Sequence, residues 1–394
     1  MTNKKIISLH EMEIQADQVV LCRVDFNVPM NGETIRDDHR IRAALPTIKT
    51  ILDTGAKLVL CSHLGRPRGQ KISQFSLLPA AERLAHLLER EVIFAHDGIG
   101  TETQQLVHEM VPNGILMLEN LRFYPEEKSG DGEFAQQLAS LADVFVNDAF
   151  GAMHREHASI TGVPEHLEGG IGLLVENEIA ALGSLLSTPD TPFGAVMGGA
   201  KVSDKITVIE EMAKRVDHLF IGGAMAYTFL AAKEIPVGKS KIERSKLDLA
   251  LNLLAHCEQH EAEVHLPVDH VVAKEFSAEA PVAEVEDFAE DDIGLDIGPE
   301  TVKQWTEVLT QCKTLFWNGP LGVFEWSSSE KGTKGIAEAL ASAKGYTVVG
   351  GGDSAAAALQ FEMGDRLDHI STGGGAALEY LQFGDLPGLY ALRR

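Results

Sequence analysis

The sequence predicts an α/β protein made of two Rossmann-like, doubly wound parallel-sheet domains joined by a hinge helix. Short apolar runs of strand length alternate with longer helix-like stretches, the signature of βαβ units. The alternation occurs in both halves of the chain. At 394 residues the chain exceeds what one ordinary core fills.

In the first half the predicted strands are Val19–Val24, Leu58–Cys61, Val92–Phe94, Ile115–Leu118 and Val144–Asn147. In the second half they are Phe193–Met197, His218–Ile221, Val264–Val268, Thr314–Trp317 and Tyr346–Val349. Helical patterns such as LLPAAERLAHLLER (77–90) and SEKGTKGIAEALASA (329–343) lie between them. The stretch 168–193 starts with Gly169, Gly170 and Gly172, continues as a helical pattern and ends at Pro189 and Pro192. A glycine-led helix between two sheets suits a hinge. The acidic stretch EVEDFAEDD (284–292) reads as a solvated edge or loop.

Composition limits the function classes. The chain is 44% hydrophobic and 23% charged, as globular proteins are, and its formal net charge is -24. A field of that sign disfavours non-specific binding to nucleic acid or to an anionic membrane. No apolar run is long enough to span a bilayer, and the N-terminus shows no secretory signal. Cys22, Cys61, Cys257 and Cys312 lack CxxC spacing. Cys22 and Cys61 sit in apolar runs and read as buried free thiols. The expected setting is cytoplasmic. Residues 1–170 hold 16 basic and 24 acidic side chains, against 18 and 34 in residues 171–394. The first half is therefore the less acidic, and its arginines fall at particular places.

In open α/β sheets ligands bind past the carboxyl ends of the strands. In the first half those ends run into RVDFNVP (23–29), SHLGRP (62–67), LENLRF (118–123) and NDAFGAMHREH (147–157). With DDHRIR (37–42) they offer Arg23, Arg40, His63, Arg66, Arg122 and Arg155. One such arginine is most often a surface ion pair. The whole set at successive ends of one sheet points to an anion pocket for carboxylate or phosphate. Asp25 and Asn27 suit either a ligand hydroxyl or the orientation of the arginines.

In the second half the strand ends run into glycines: MGGAKVSDK (197–205), IGGAMA (221–226), WNGPLGVFE (317–325), GGGDSAAAAL (350–359) and STGGGAALEYL (371–381). Glycine lets a backbone approach a phosphate, and a helix N-terminus presents free N–H groups to it. Lys201 and Lys205 can neutralise phosphate charge. Asp353 is a carboxylate placed to take Mg²⁺, and Glu325 can accept hydrogen bonds from a ribose.

Several motifs fail on inspection. EIPVGKS (234–240) ends like a Walker A loop, but the required first glycine is Lys233. GGGDSA (350–355) fits a dinucleotide fingerprint, yet no acid ends a second strand about 20 residues on. That weakens an NAD-dependent dehydrogenase. His154, His157 and His166 match no standard zinc spacing. No G-x-S-x-G elbow is present. A non-catalytic binding protein of the same fold is the other alternative, expected to lack Arg40, Lys201 or Asp353; the chain has all three.

RVDFNVP, SHLGRP, LENLRF, GGAKVSDK, WNGPLGVFE, GGGDSAAA and STGGGAALE, in that order across the chain, resemble the signature segments of phosphoglycerate kinases. The resemblance implies reversible phosphoryl transfer from 1,3-bisphosphoglycerate to Mg-ADP, giving 3-phosphoglycerate and ATP, by domain closure in a monomer. It implies a phosphoglycerate-binding domain at 1–170, an interdomain helix at 171–188, a nucleotide-binding domain at 189–375, and a segment 376–394 returning to the first domain. It further implies that Asp25, Phe26, Asn27, Arg40, His63, Leu64, Gly65, Arg66, Arg122 and Arg155 hold the phosphoglycerate. Lys201, Lys205, Asn318, Glu325, Gly351, Gly352, Asp353, Ser354, Gly373 and Gly374 would hold ADP or ATP, with Asp353 at the metal and Arg40 and Lys201 catalytic. Met153 and Glu156 stand where the family commonly has small residues.

Overall fold

Buried β-branched runs become the strands of two parallel sheets in the computed structural model, which describes residues 5–393. Described residues up to Ala180, together with those from Asp385 onward, form one compact unit, and Ala181–Gly384 form the other.

The strands of the first unit are β1 (Val19–Arg23), β2 (Met30–Asn31), β3 (Thr34–Ile35), β4 (Lys57–Cys61), β5 (Ile93–Ala95), β6 (Ile115–Leu118), β7 (Val144–Asn147) and β8 (Gly169–Ile171). Six of them pair in the order β5-β6-β4-β1-β7-β8, while β2 and β3 make a separate hairpin. All five pairings in the six-stranded sheet are parallel. Strands so covered on both faces read as continuous apolar runs, as β6 does with all four residues buried. On one face Val20, Cys22, Leu58, Leu60 and Met117 pack with Ile48 and Ile51 of helix His39–Asp53.

The register places Arg23 level with both Cys61 and Asn147. The loops that follow β1, β4 and β7 therefore leave the sheet side by side, with the loop after β6 next in line. This alignment sets segments far apart in sequence around one rim.

The second unit contains β9 (Phe193–Met197), β10 (His218–Ile221), β11 (Glu263–His265), β12 (His270–Ala273), β13 (Val282–Val285), β14 (Ile293–Ile297), β15 (Thr314–Asn318), β16 (Tyr346–Gly350) and β17 (His369–Ile370). Its main sheet runs β11-β10-β9-β15-β16-β17, also parallel. The five glycine-containing loops follow β10, β9, β15, β16 and β17, which are consecutive neighbours. A second, antiparallel sheet, β13-β12-β14, was not foreseen. The acidic stretch at 284–292 begins on its edge strand β13, which is largely exposed.

Gly169 and Gly170, expected ahead of a hinge, instead lie in β8. A Cβ on Gly169 would stand 2.8 Å from the Phe145 carbonyl, and one on Gly170 2.5 Å from that of Ile7. The helix after them spans Leu173–Ser187. Its start is capped by Asp148, which accepts from the Leu174 and Val175 N–H groups at 3.0 and 3.4 Å. All four cysteines are buried free thiols. Among the described residues no helix is long and apolar enough to cross a membrane.

Candidate functional site

At the first rim the backbone of β1 turns outward after Arg23, and its side chain goes inward. Arg23 is fully buried. Its Nε donates to Ser159 Oγ at 2.8 Å, and its Nη2 lies 3.1 Å from His63 Nδ1. A guanidinium can only donate, so His63 Nδ1 is the acceptor and the neutral ring carries its proton on Nε2. Burial, then Arg23, Arg122, Arg155 and Arg40, hold the His63 pKa well below the ordinary histidine value. The sequence pattern sets Arg23 among the anion-facing arginines, whereas the fold turns it inward to support His63.

Arg23 also approaches Glu127, at 3.9 Å, and both side chains are fully buried. Glu127 accepts from the Ser159 hydroxyl at 2.6 Å and the Ser159 N–H at 2.9 Å. Burial nonetheless pushes the Glu127 carboxyl above its ordinary value.

Asp25, Asn27 and Arg40 form a second layer. Arg40 Nη1 donates to Asp25 Oδ2 at 2.9 Å and to the Asn27 carbonyl at 3.2 Å. Asn27 Oδ1 accepts from the Gly65 N–H at 2.9 Å, which ties the β1 loop to the β4 loop. Phe26 and Leu64 are buried. The Phe26 N–H donates to Ser62 Oγ at 2.9 Å, so these two residues anchor their loops through the core.

Arg122 donates to the Gly65 carbonyl at 2.7 Å, and its Nε is buried without a partner. Burial, then Arg155 and Arg23, brings its pKa down to about 10. Burial also lowers that of Arg155, whose Nε donates to His154 Nε2 at 3.2 Å. Arg66 is exposed, as is Glu156. The acids that act on these arginines are Asp25 and Glu127. The rim therefore has an excess of positive charge that a multiply anionic ligand can neutralise.

Two supporting residues were missed. Asn120 Oδ1 accepts from the Leu64 and Arg122 N–H groups, while its Nδ2 donates to the carbonyls of Leu64 and Phe75. Glu119 accepts from Ser76 Oγ and from the N–H groups of Leu77 and Asn120. A polar pair directly after an apolar strand is the signal that could have found them, since such groups are buried only when bonded.

In the second unit glycines let backbones meet. The Gly198 N–H donates to the Asn318 carbonyl at 2.8 Å, that of Gly199 to Pro320 at 3.0 Å, and that of Gly223 to Leu321 at 3.0 Å. A Cβ on Gly198 would stand 2.2 Å from the Pro320 carbonyl oxygen. Gly351 has φ +92°, and a Cβ there would lie 2.7 Å from Asn318 Nδ2. Gly352 differs: a Cβ there would meet nothing within 4 Å. It opens the helix Gly352–Gln360, so its side faces free space beside a helix N-terminus. Gly374, at φ +53°, caps helix Gly375–Phe383 and is equally unobstructed.

Asn318 links the loops by donating from Nδ2 to the Gly350 carbonyl at 2.7 Å and accepting from Lys205 Nζ. Burial lowers the Lys205 pKa, opposed by the charges of Asp353 and Asp204. Ser354 is buried, donates to the Gly350 carbonyl and accepts from the Gly319 N–H at 3.2 Å. Its hydroxyl thus holds the loop. Gly373 donates its N–H to Ser371 Oγ at 3.1 Å.

Beside these loops is a cavity of about 500 Å³. Gly199, Ala200 and Asp353 border it on the loop side, and Tyr227, Phe276 and Leu295 are among its apolar walls. Lys201 and Glu325 are exposed and do not line it. Lys239 and Lys241 do line it. Lys239 lies in the EIPVGKS segment that fails as a Walker A loop, and no motif marks Lys241. The size and the apolar walls suit a nucleotide base.

Known proteins resemble this chain along nearly its whole length. The sequence model of the phosphoglycerate kinase family matches residues 9–383. Phosphoglycerate kinases of Clostridium perfringens are 47% identical over 394 residues, covering 99% of this chain and 98% of theirs. The phosphoglycerate kinase structure from Coxiella burnetii superimposes with a TM-score of 0.88 at 36% identity, covering 98% of this chain and 99% of that one. The one from Pyrococcus horikoshii does so with a TM-score of 0.83 at 30% identity, covering 98% of each.

Proposed function

We propose, from the premise that this chain belongs to the phosphoglycerate kinase family, that its two sheets divide the labour between the two substrates. The reaction is reversible phosphoryl transfer from 1,3-bisphosphoglycerate to ADP, giving 3-phosphoglycerate and ATP. The chain is thus a phosphotransferase acting on a carboxyl group. Neither alternative, a dehydrogenase or a non-catalytic binder, has support.

The first unit holds the phosphoglycerate. Arg66, Arg122 and Arg155 neutralise its phosphate and carboxylate oxygens, and His63 offers its Nε2 proton as a donor. Asp25 and Asn27 orient Arg40. One observation carries this assignment: Arg122 is buried with its Nε unpartnered, and burial first, then neighbouring arginines, lower the pKa values of Arg122 and Arg155. The second unit holds ADP or ATP, with the base in the cavity of about 500 Å³ and the phosphates over Gly352, Gly373 and Gly374. Lys201, Lys205 and Asn318 lie along the phosphate path, and Glu325 is offered to the ribose.

The nucleotide would bring Mg²⁺ with it. Asp353 fits it: an exposed carboxylate on the cavity wall, beside the free space at Gly352. Magnesium retains most of its waters and takes one or two protein oxygens. When bound it supplies positive charge to the phosphate oxygens.

The nucleophile needs no general base. It is a nucleotide phosphate oxygen in one direction and a carboxylate in the other, both anionic near neutral pH. Rate enhancement then comes from positioning and from cations around the transferred group. Arg40 and Lys201 fill that role. We place the chain in the cytoplasm as a monomer, a setting its four buried free thiols suit.

A coupled assay tests the reading. ATP should form from ADP and 1,3-bisphosphoglycerate, and should require Mg²⁺. Purified chain that forms no ATP under those conditions would sink it.

A further inference from the structure

The end of the main sheet opposite the glycine loops carries a side-chain cluster that phosphoryl transfer does not use. His218 opens β10, whereas the loop Gly222–Gly223 follows its far end. β11 lies alongside in parallel, with Glu263 level with His218 and His265 level with Phe220. Residues two apart on a strand share a face, so all three polar side chains project to one side. His218 Nδ1 lies 3.1 Å from His265 Nε2 and 3.3 Å from Glu263 Oε2. His265 Nε2 is 3.9 Å from Glu263 Oε1. The potential ligand atoms all fall within 4.8 Å of one another.

We propose that His218, Glu263 and His265 form a site for a divalent transition metal ion, best suited to Zn²⁺. Tetrahedral zinc with nitrogen and oxygen ligands sets its donor atoms about 3.3 Å apart. The His218 Nδ1–His265 Nε2 separation of 3.1 Å and the His218 Nδ1–Glu263 Oε2 separation of 3.3 Å match that edge, while His265 Nε2 is 3.9 Å from the other carboxylate oxygen, Oε1. Two imidazoles and a carboxylate are the donor set zinc takes, and a hard ion such as Mg²⁺ prefers oxygen alone.

One ligand is held in place by the core. The His265 ring stacks on Phe220 with centroids 4.4 Å apart and planes 13° apart, and buried Phe220 packs on Trp305 at 5.3 Å. Glu263 is exposed at the sheet edge, so the fourth position opens to water. The net charge of -24 favours cation capture. β11 is an edge strand, and the ion would clamp it to β10, restraining an edge otherwise open to other chains.

Cobalt titration of the full-length chain tests the site, because tetrahedral Co²⁺ absorbs intensely and six-coordinate Co²⁺ weakly. One equivalent should give the intense spectrum, Zn²⁺ should bleach it, and Mg²⁺ should not. His218→Gln, His265→Gln and the surface change Glu263→Gln should each weaken cobalt binding at least about tenfold while turnover stays unchanged. Equal spectra from the wild type and all three variants would overturn the proposal. A wild-type spectrum with only weak bands would do the same, leaving a histidine–histidine hydrogen bond with Glu263 as its ionic neighbour.

Discussion

Arg40 uses a single nitrogen, Nη1, to meet both Asp25 and the Asn27 carbonyl. Its planar fork is thereby fixed while it remains about one-third exposed, the condition for an arginine that must reach a ligand. Removing such a cation from a preorganised site should cost at least about 10²-fold in kcat. Arg40→Ala and Lys201→Ala should both show this in steady-state assays, with Tm little changed. Near-normal turnover in both would refute a mechanism based on cations. Asp148 makes a different prediction. Burial pushes its carboxyl up to about 7, opposed by bonds from Thr47 and the N–H groups of Val175 and Leu174. One of its oxygens, Oδ2, is buried without a partner. Because the folded pKa is raised, the folded state favours the neutral acid. Stability is full below about pH 4, the ordinary aspartate range, and is lost as pH rises through about 7. Asp148→Asn keeps the acceptor oxygen and cannot ionise. Its Tm relative to wild type should therefore rise between pH 5 and pH 8. A difference independent of pH would show that Asp148 stays ionised in the fold.

Glycines at loop starts differ in what surrounds them. Gly198 is required by packing, since any Cβ would collide with the Pro320 carbonyl at 2.2 Å. A Cβ on Gly352 would meet nothing within 4 Å, and its φ is not among the positive ones, so alanine fits there structurally. If a phosphate rides over Gly352, Gly352→Ala should raise KM for ADP while leaving Tm unchanged. Gly198→Ala should lower Tm. Unchanged KM in Gly352→Ala would remove the phosphate from that helix start. The loops themselves were legible because strands covered on both faces are continuous apolar runs: Ile115–Leu118, Val144–Asn147, Phe193–Met197 and His218–Ile221 have the bounds read from sequence. The sheet of β12, β13 and β14 was not legible. β13 is largely exposed and begins an acidic stretch, and Gly294 interrupts β14, where a Cβ would strike Tyr227 at 2.2 Å. Most of the arginine rim was readable because Arg66, Arg122 and Arg155 follow strands and Arg23 ends one. The cavity wall was not, because Lys239, Lys241, Phe276 and Leu295 meet only through tertiary packing. The inward turn of Arg23 likewise depends on Ser159, 136 residues away.

The groups proposed for one substrate lie in the unit that ends at Ala180 and resumes at Asp385, and those proposed for the other lie in Ala181–Gly384. The helix Leu173–Ser187 carries the chain from one unit to the next. Its first turn is tied to the first unit by Asp148, just past β7, and by Thr47 of helix His39–Asp53, whose Oγ1 accepts from the Leu173 N–H at 2.9 Å. Direct transfer needs the acyl phosphate and the nucleotide phosphate in near-attack contact. An acyl phosphate is also lost to water unless the site excludes it. Both requirements are met if the units close when each holds its ligand, with the tied helix start as a rigid arm and the motion taken up beyond it. Small-angle scattering should then give a smaller radius of gyration with 3-phosphoglycerate and a nonreacting Mg-nucleotide together than with either alone. The contraction should weaken in Arg40→Ala, which removes a cation proposed to attract the transferred group. An unchanged radius, with binding of both ligands confirmed by calorimetry, would mean that transfer occurs without closure and that water is excluded by other means.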